Sequence, residues 1–151
     1  MMDIRSGKDY PSRALSNFAG HRFALDGVEC HSMEGWLQSL KFKNPDMQVE
    51  VCKLVGFAAK RKGKGKNWWR DGKLYWRGQE IDRFSDDYQA LLDRAYEAMF
   101  DQCEGFRKAL AASAGATLTH SIGRRDPKQT ILTVAEFCGR LTRLRARLQD
   151  K

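Results

Sequence analysis

Ser32-Met33-Glu34-Gly35-Trp36-Leu37-Gln38-Ser39-Leu40-Lys41-Phe42 sets its apolar residues Met33, Trp36, Leu37 and Leu40 at i, i+3, i+4 and i+7, the pattern of one helical face turned to a core. Ser32 stands just before that face, where a serine caps a helix by accepting a bond from an otherwise unpaired N–H. Glu34, Gln38 and Lys41 recur at i, i+4 and i+7, so a carboxylate, an amide and an ammonium form a second stripe about 120° from the first. That stripe is either a solvated face with a Glu/Lys pair or a set of polar groups that grips and hydrolyses a polar ligand.

Upstream, residues 22–31 read as a hairpin: Phe23 and Leu25 alternate, Asp26-Gly27 supplies a two-residue turn, and Val28 and Cys30 return. Downstream, Asn44-Pro45-Asp46 starts a helix with Val51, Leu54, Val55 and Ala58 on its buried face, ended by a Gly-rich basic run. Trp69 to Ile81 reads as a second hairpin around Asp71-Gly72. Ser85-Asp86-Asp87 opens the clearest helix, whose stripe is Tyr88, Leu91, Leu92, Ala95 and Met99. Phe106 to Ala112 gives a shorter helix that closes near Gly115. Thr133-x-x-Glu136 is a capping box before a terminal helix with the seam Phe137, Leu141, Leu144 and Leu148, and with Arg140, Arg143, Arg145 and Arg147 on its opposite face. These elements predict a mainly α (α+β) fold in a single domain over residues 1–151, long enough to bury a real core.

No run of ~18 apolar residues is present, so no membrane partner is expected. Met1 to Tyr10 lacks the apolar segment of a secretory signal. Cys30, Cys52, Cys103 and Cys138 lie far apart without a C-x-x-C, and show no metal-ligand spacing with His21, His31 or His120. Buried free thiols in a reducing, cytoplasmic compartment are the simplest reading, with no metal and no organic cofactor required. Net charge is +8, which favours polyanionic partners. The excess is concentrated in Lys60-Arg61-Lys62-Gly63-Lys64-Gly65-Lys66, five cations in seven residues. This run is either a mobile loop that follows a phosphate backbone or a solvated loop that keeps the protein soluble. Trp68 and Trp69 follow; in a strand they point opposite ways, and either both are core or one, assigned to Trp69, is free to stack on a base.

Ser-x-Glu-x-x-x-Gln-x-x-Lys-Phe, after Leu15-Ser16-Asn17-Phe18 and Leu25-Asp26-Gly27-Val28, resembles the opening of the NADAR superfamily, the YbiA-like N-glycosidases. The resemblance resumes at Gly56-Phe57-Ala58-Ala59-Lys60 and over Tyr88 to Phe106, and continues more weakly from Leu118 to Leu148. Two departures stand out. The histidine that follows the glutamate in the family is Gly35 here, and the family's Asp-x-x-Trp-Gly segment is replaced by Leu118-Thr119-His120-Ser121-Ile122-Gly123-Arg124-Arg125-Asp126-Pro127.

The resemblance implies a YbiA-like helical fold with small hairpins and hydrolysis of an N-ribosyl bond. It matches Glu34 to the family's catalytic glutamate, beside a retained Lys41, while Asp126 falls where a second functional segment belongs. A carboxylate near the sugar stabilises oxocarbenium charge and activates water, and a place near a helix N-terminus is expected to keep Glu34 ionised. Asn17, Phe18, Gln38, Trp69, His120, Ser121 and Arg124 are the expected substrate contacts. Lys60, Arg61, Lys62, Lys64 and Lys66 are the expected phosphate contacts. The expected substrate is ADP-ribose on guanine in nucleic acid, in opposition to an ADP-ribosyltransferase. The alternatives are phosphorylated ribosylamino intermediates of riboflavin synthesis, or a non-catalytic module that binds ADP-ribose, NAD or nucleic acid.

Overall fold

The computed structural model describes residues 1–149, so residues 150 and 151 of the expected domain lie outside the described residues. Among those described, the chain runs through β1 (Met2–Asp3), α1 (Ser12–Leu15), β2 (Phe23–Leu25), β3 (Val28–Cys30), α2 (Met33–Ser39), α3 (Pro45–Cys52) and α4 (Gly56–Lys64). A 3-10 turn at Trp68–Arg70 leads to β4 (Lys73–Trp76), β5 (Gln79–Asp82), α5 (Asp86–Gln102), α6 (Glu104–Ala112), β6 (Leu118–Thr119) and α7 (Val134–Gln149). The result is an α+β fold with three two-stranded sheets: β1 beside β6 in parallel, and the antiparallel hairpins β2–β3 and β4–β5. None of the described helices is long and apolar enough to cross a membrane.

The first hairpin forms as its sequence dictates. Leu25 pairs with Val28, and Asp26 and Gly27 both take positive φ (51° and 80°), the geometry that a tight two-residue hairpin turn needs. The second hairpin is displaced from its expected turn. Trp76 pairs with Gln79, so the reversal falls at Arg77-Gly78, with φ of 50° and 85°. Asp71-Gly72 instead closes the 3-10 turn: the Gly72 N–H donates to the Trp68 carbonyl at 2.9 Å, and the Asp71 carboxylate receives the Lys73 N–H at 3.0 Å.

The helix expected from Asn44 through Ala58 is two helices. Asn44 caps α3 through Oδ1, which accepts from the Asp46 and Met47 N–H groups at 2.8 and 3.2 Å. α3 then stops at Cys52, Val55 is extended, and Gly56 takes φ +59° before α4 starts. Val55 and Ala58 are therefore exposed, while Val51 is buried. The basic run, expected as a loop, is largely helical, because Lys60 through Lys64 complete α4. Gly63 earns its place by packing: a Cβ there would overlap the Gln38 side-chain amide.

One apolar cluster runs through the molecule, with Trp36 and Leu37 of α2, Tyr88, Leu92, Ala95 and Tyr96 of α5, and Phe137 and Leu141 of α7 fully or almost fully buried. α7 opens on a reciprocal capping box: the Thr133 N–H donates to Glu136 Oε1 at 2.7 Å, and the Glu136 N–H donates to Thr133 Oγ1 at 3.1 Å. Arg140, expected on the outer face, is buried instead. It donates to the Glu136 carbonyl and to Gln89 Oε1, and its Nε lies 2.9 Å from an Asp93 oxygen. Nearby Arg83, 1% exposed, makes a two-pronged pair with Glu136 at 3.0 and 2.7 Å and donates from Nε to the Thr130 carbonyl. That network pins the 120–133 segment against α5 and α7. All four cysteines are buried free thiols.

Candidate functional site

Ser32 caps α2 as the sequence predicts: its Oγ accepts from the Gly35 N–H at 3.0 Å and donates to the Leu54 carbonyl at 2.9 Å. The second bond ties the start of α2 to the α3–α4 connection. Gly35 makes that approach feasible, since a Cβ at 35 would meet the carbonyl oxygens of Leu54, Val51 and Cys52. The family's histidine therefore has no room here. The opposite polar stripe of α2 faces a cavity of about 450 Å³ lined by α2, α4, Trp68, the 120–132 segment and Phe137. This lies within the size range of ligand pockets.

Glu34, Gln38 and Lys41 all line this cavity. Gln38 Nε2 donates to Glu34 Oε1 at 2.8 Å, so one carboxylate oxygen is held and Oε2 is left for a ligand. Burial pushes the Glu34 carboxyl above its ordinary value, against the opposing effect of the Gln38 bond and of Lys41, Lys60 and His120. Burial, the largest influence on this group, thus works against the ionised form that a place near a helix N-terminus was expected to favour. Burial likewise pulls the Lys41 ammonium down, while Glu34 opposes that shift. Gln38 Oε1 is buried without a partner beside Gly63, so this amide serves as a brace for Glu34.

Asn17 and Phe18 also line the cavity. The Asn17 carbonyl accepts the Glu34 N–H at 3.0 Å, and Asn17 Oδ1 accepts from the Tyr96 hydroxyl at 2.8 Å. The second contact orients the side-chain amide, leaving its NH2 group without a partner among the described residues. Tyr96 was not among the expected site residues, although it adjoins Ala95 on the buried stripe of α5. Phe18 packs edge-on against exposed Phe57, with ring centroids 4.9 Å apart.

The cationic run divides. Lys60 and Lys64, one turn apart on α4, line the cavity, and Arg124 joins them from the 120–132 segment. Arg61, Lys62 and Lys66 are exposed outside it, with Lys66 lying over the Phe42 ring at 4.6 Å. Against the four cations Lys41, Lys60, Lys64 and Arg124, the lining holds one carboxylate, Glu34. Such a site favours an anionic ligand.

Three expected site residues stand elsewhere. Trp69 is 55% exposed and lies under Arg70, whereas Trp68, 8% exposed, lines the cavity. The 3-10 turn, not strand alternation, separates the two rings. Ser121 is turned outward, its Oγ donating to Asp3 Oδ2 at 2.6 Å. Asp126 is an exposed turn residue whose Oδ1 accepts the Lys128 N–H at 2.9 Å; the proline after it selects that turn. His120 does reach the cavity. Among the described residues, no group of three His, Cys, Asp or Glu side chains could hold a metal ion.

Comparison with known proteins agrees with this fold. Over 99% of the chain, the structure superposes with a TM-score of 0.64 on 84% of the NMR structure of the E. coli protein YbiA, at 19% identity. At that identity the likeness speaks for the fold. In sequence, 146 residues are 42% identical to an uncharacterised 17.1 kDa protein from the Gp30–rIII intergenic region of Enterobacteria phage T4, spanning 95% of this chain and 96% of that protein. The family model of bacteriophage protein GP30.3 matches residues 9–146. With that much of its length matched, the chain belongs to the bacteriophage GP30.3 protein family.

Proposed function

We propose that the protein is an N-glycosidase of the NADAR type that removes ADP-ribose from guanine in nucleic acid. The observation that carries this reading is a desolvated carboxylate with one free oxygen, Glu34 Oε2, in a cavity whose other charged lining residues are cations. Breaking a C1′–N bond builds positive charge on the sugar, and a carboxylate in a dry site stabilises that charge more than one in water. A raised pKa also makes Glu34 a better acceptor for the proton of the attacking water. Gln38 fixes its direction. Lys60, Lys64 and Arg124 suit the diphosphate, Asn17 offers donor hydrogens to a base or ribose, and Phe18 offers a stacking face.

The preference for nucleic acid rests on Arg61, Lys62 and Lys66, which carry positive charge outward from the cavity-facing side of α4. A phosphorylated ribosylamino metabolite would need only the inner cations, and it is the second reading. The test offers the protein an oligonucleotide bearing ADP-ribosyl-guanine, a phosphorylated ribosylamino compound, and free ADP-ribose for binding, with Glu34→Gln as control. Release of ADP-ribose that Glu34→Gln abolishes supports the proposal. Turnover of the small compound alone favours the second reading. Binding of ADP-ribose with no turnover of either substrate refutes the enzyme and leaves a binding module.

A further inference from the structure

His120 stands in the cavity wall with one ring nitrogen engaged and the other open. Its Nδ1 lies 2.7 Å from the Ile4 carbonyl oxygen. A carbonyl only accepts, so Nδ1 carries the hydrogen and Nε2 is the atom left to exchange a proton. The ring lines the same cavity as Glu34, and Nε2 has no partner among the described residues. The ring is also held on both sides. Phe137 packs edge-on at 5.3 Å, and a Cβ at Gly123 would strike His120 Cδ2. Parallel pairing of β1 with β6 sets the backbone on which this rests, with the Ile4 N–H donating to the Thr119 carbonyl at 2.8 Å. His21 donates from Nε2 to the Ala14 carbonyl and packs near Phe106, and neither it nor His31 lines the cavity.

We infer that His120, protonated at Nε2, gives that proton to the departing nitrogen of the N-ribosyl substrate, an inference that rests on the N-glycosidase reading above. The C1′–N bond breaks with its electron pair left on nitrogen, and the nitrogen takes the Nε2 proton. Water bonds through oxygen to C1′ and passes a proton to Glu34 Oε2. Solvent then returns that proton from Glu34 to His120, so one water is consumed and the products are a free hydroxyl at C1′ and an N–H base. Glu34 from α2, Lys41 just beyond it, Lys60 and Lys64 from α4, and Arg124 are the charged groups that share the cavity with the ring; Asp3 of β1 is engaged by Ser121. Nothing in the sequence marked His120 for this role, because the segment that carries it departs from the family pattern.

The test is His120→Asn, whose amide can still donate to the Ile4 carbonyl but carries no transferable proton. It is assayed from pH 5 to 9 on whichever N-ribosyl substrate the unaltered protein hydrolyses, with ADP-ribose binding and thermal unfolding as controls. Expected are a fall in kcat of about 10²–10³-fold with little change in KM, loss of the wild-type decline in rate at alkaline pH, and partial rescue by free imidazole. A raised KM with kcat retained, or an alkaline decline that persists, overturns the inference and makes His120 a binding contact. His120→Gln, with its amide nearer the Nε2 position, serves if His120→Asn unfolds. Wild-type turnover separates the two levels of failure: no base release from any N-ribosyl substrate defeats the N-glycosidase reading and this inference with it, whereas turnover that His120→Asn leaves intact defeats this inference alone.

Discussion

Gly35→Ala should destabilise the protein even though alanine is the better helix former. Gly35 is the third residue of α2, and a Cβ there would lie 3.0 Å from the Val51 carbonyl oxygen, 3.1 Å from that of Cys52, and closer still to that of Leu54. Those are backbone atoms at the end of α3 and in the α3–α4 connection, and cannot rotate away. Propensity alone favours alanine by up to ~1 kcal/mol, while overpacking costs about 1–3 kcal/mol, with the upper end where backbone must move. The net expectation is a loss of about 1–2 kcal/mol, or a Tm lower by roughly 2–8 °C for a chain of this size. Gly139→Ala is the internal control. It sits inside α7, and its nearest neighbour is Arg143 Nη1 at 3.3 Å, the far end of an exposed and flexible side chain. There the propensity gain should survive, and stability should rise by up to ~1 kcal/mol. Urea unfolding followed by tryptophan fluorescence reads both variants. A Gly35→Ala protein as stable as wild type would refute the close-packing account of α2.

Three further outcomes follow from the charges. Glu34→Gln should abolish hydrolysis, spare ligand binding, and make the protein more stable at neutral pH. A carboxyl whose folded pKa is raised contributes stability below its unfolded value, near 4.5, and loses it as pH rises through the folded value; the gain of the variant should therefore fade as pH falls toward 4.5 in paired unfolding curves. Glu136→Ala strands the buried Arg83 guanidinium and should cost about 3–5 kcal/mol, measured by urea unfolding. In Glu136 burial raises the carboxyl, but bonds from Arg83, Gln89 and the Thr133 N–H outweigh it and hold the group below its ordinary value. Its contribution is thus present above the unfolded value and lost as pH falls through the lowered one, so an acid melt steeper in wild type than in Glu136→Gln is expected. Replacing Arg61, Lys62 and Lys66 with glutamine should weaken action on an oligonucleotide and reduce the salt slope by ~2, with a small ribosyl substrate unaffected; an unchanged slope would make the outer face of α4 ordinary surface.

What the sequence made legible was local. Ser32, Asp26-Gly27, Ser85 and the Thr133/Glu136 box act within a few residues, and each appears where its side-chain chemistry requires it. The polar stripe of α2 was equally readable, because helical periodicity decides which side chains share a face. The misread positions depend on partners distant in sequence. Gly63 looks like a helix breaker until Gln38 is seen against it. Arg140 looks like a surface cation until Gln89 and Asp93 are brought to it. Trp68 and Trp69 keep the expected division into buried and exposed, but it is Trp68 that lines the cavity, because a 3-10 turn, which no local signal announced, sets their directions. Asp126 follows the opposite logic: resemblance assigned it a role in the site, and its place is an exposed turn before Pro127.

The two close-packed glycines also account for the chemistry of the cavity. Gly35 lets α2 lie against the α3–α4 connection, and Gly63 lets α4 lie against Gln38. Together they bring Lys60 and Lys64 onto the cavity that Glu34 faces, where burial pushes that carboxyl up. A histidine at position 35 could not coexist with this packing. On the proposed reaction, a proton donor for the leaving nitrogen must therefore come from another element, and His120 is the histidine that the β1–β6 pairing holds at the cavity wall. The double change Gly35→Ala with Gly63→Ala should accordingly do more than destabilise. By parting α2 from α4 it should rehydrate Glu34, moving the acidic limb of the rate profile toward lower pH. A limb that stays in place while stability falls would mean that the helix contact sets stability without setting the base.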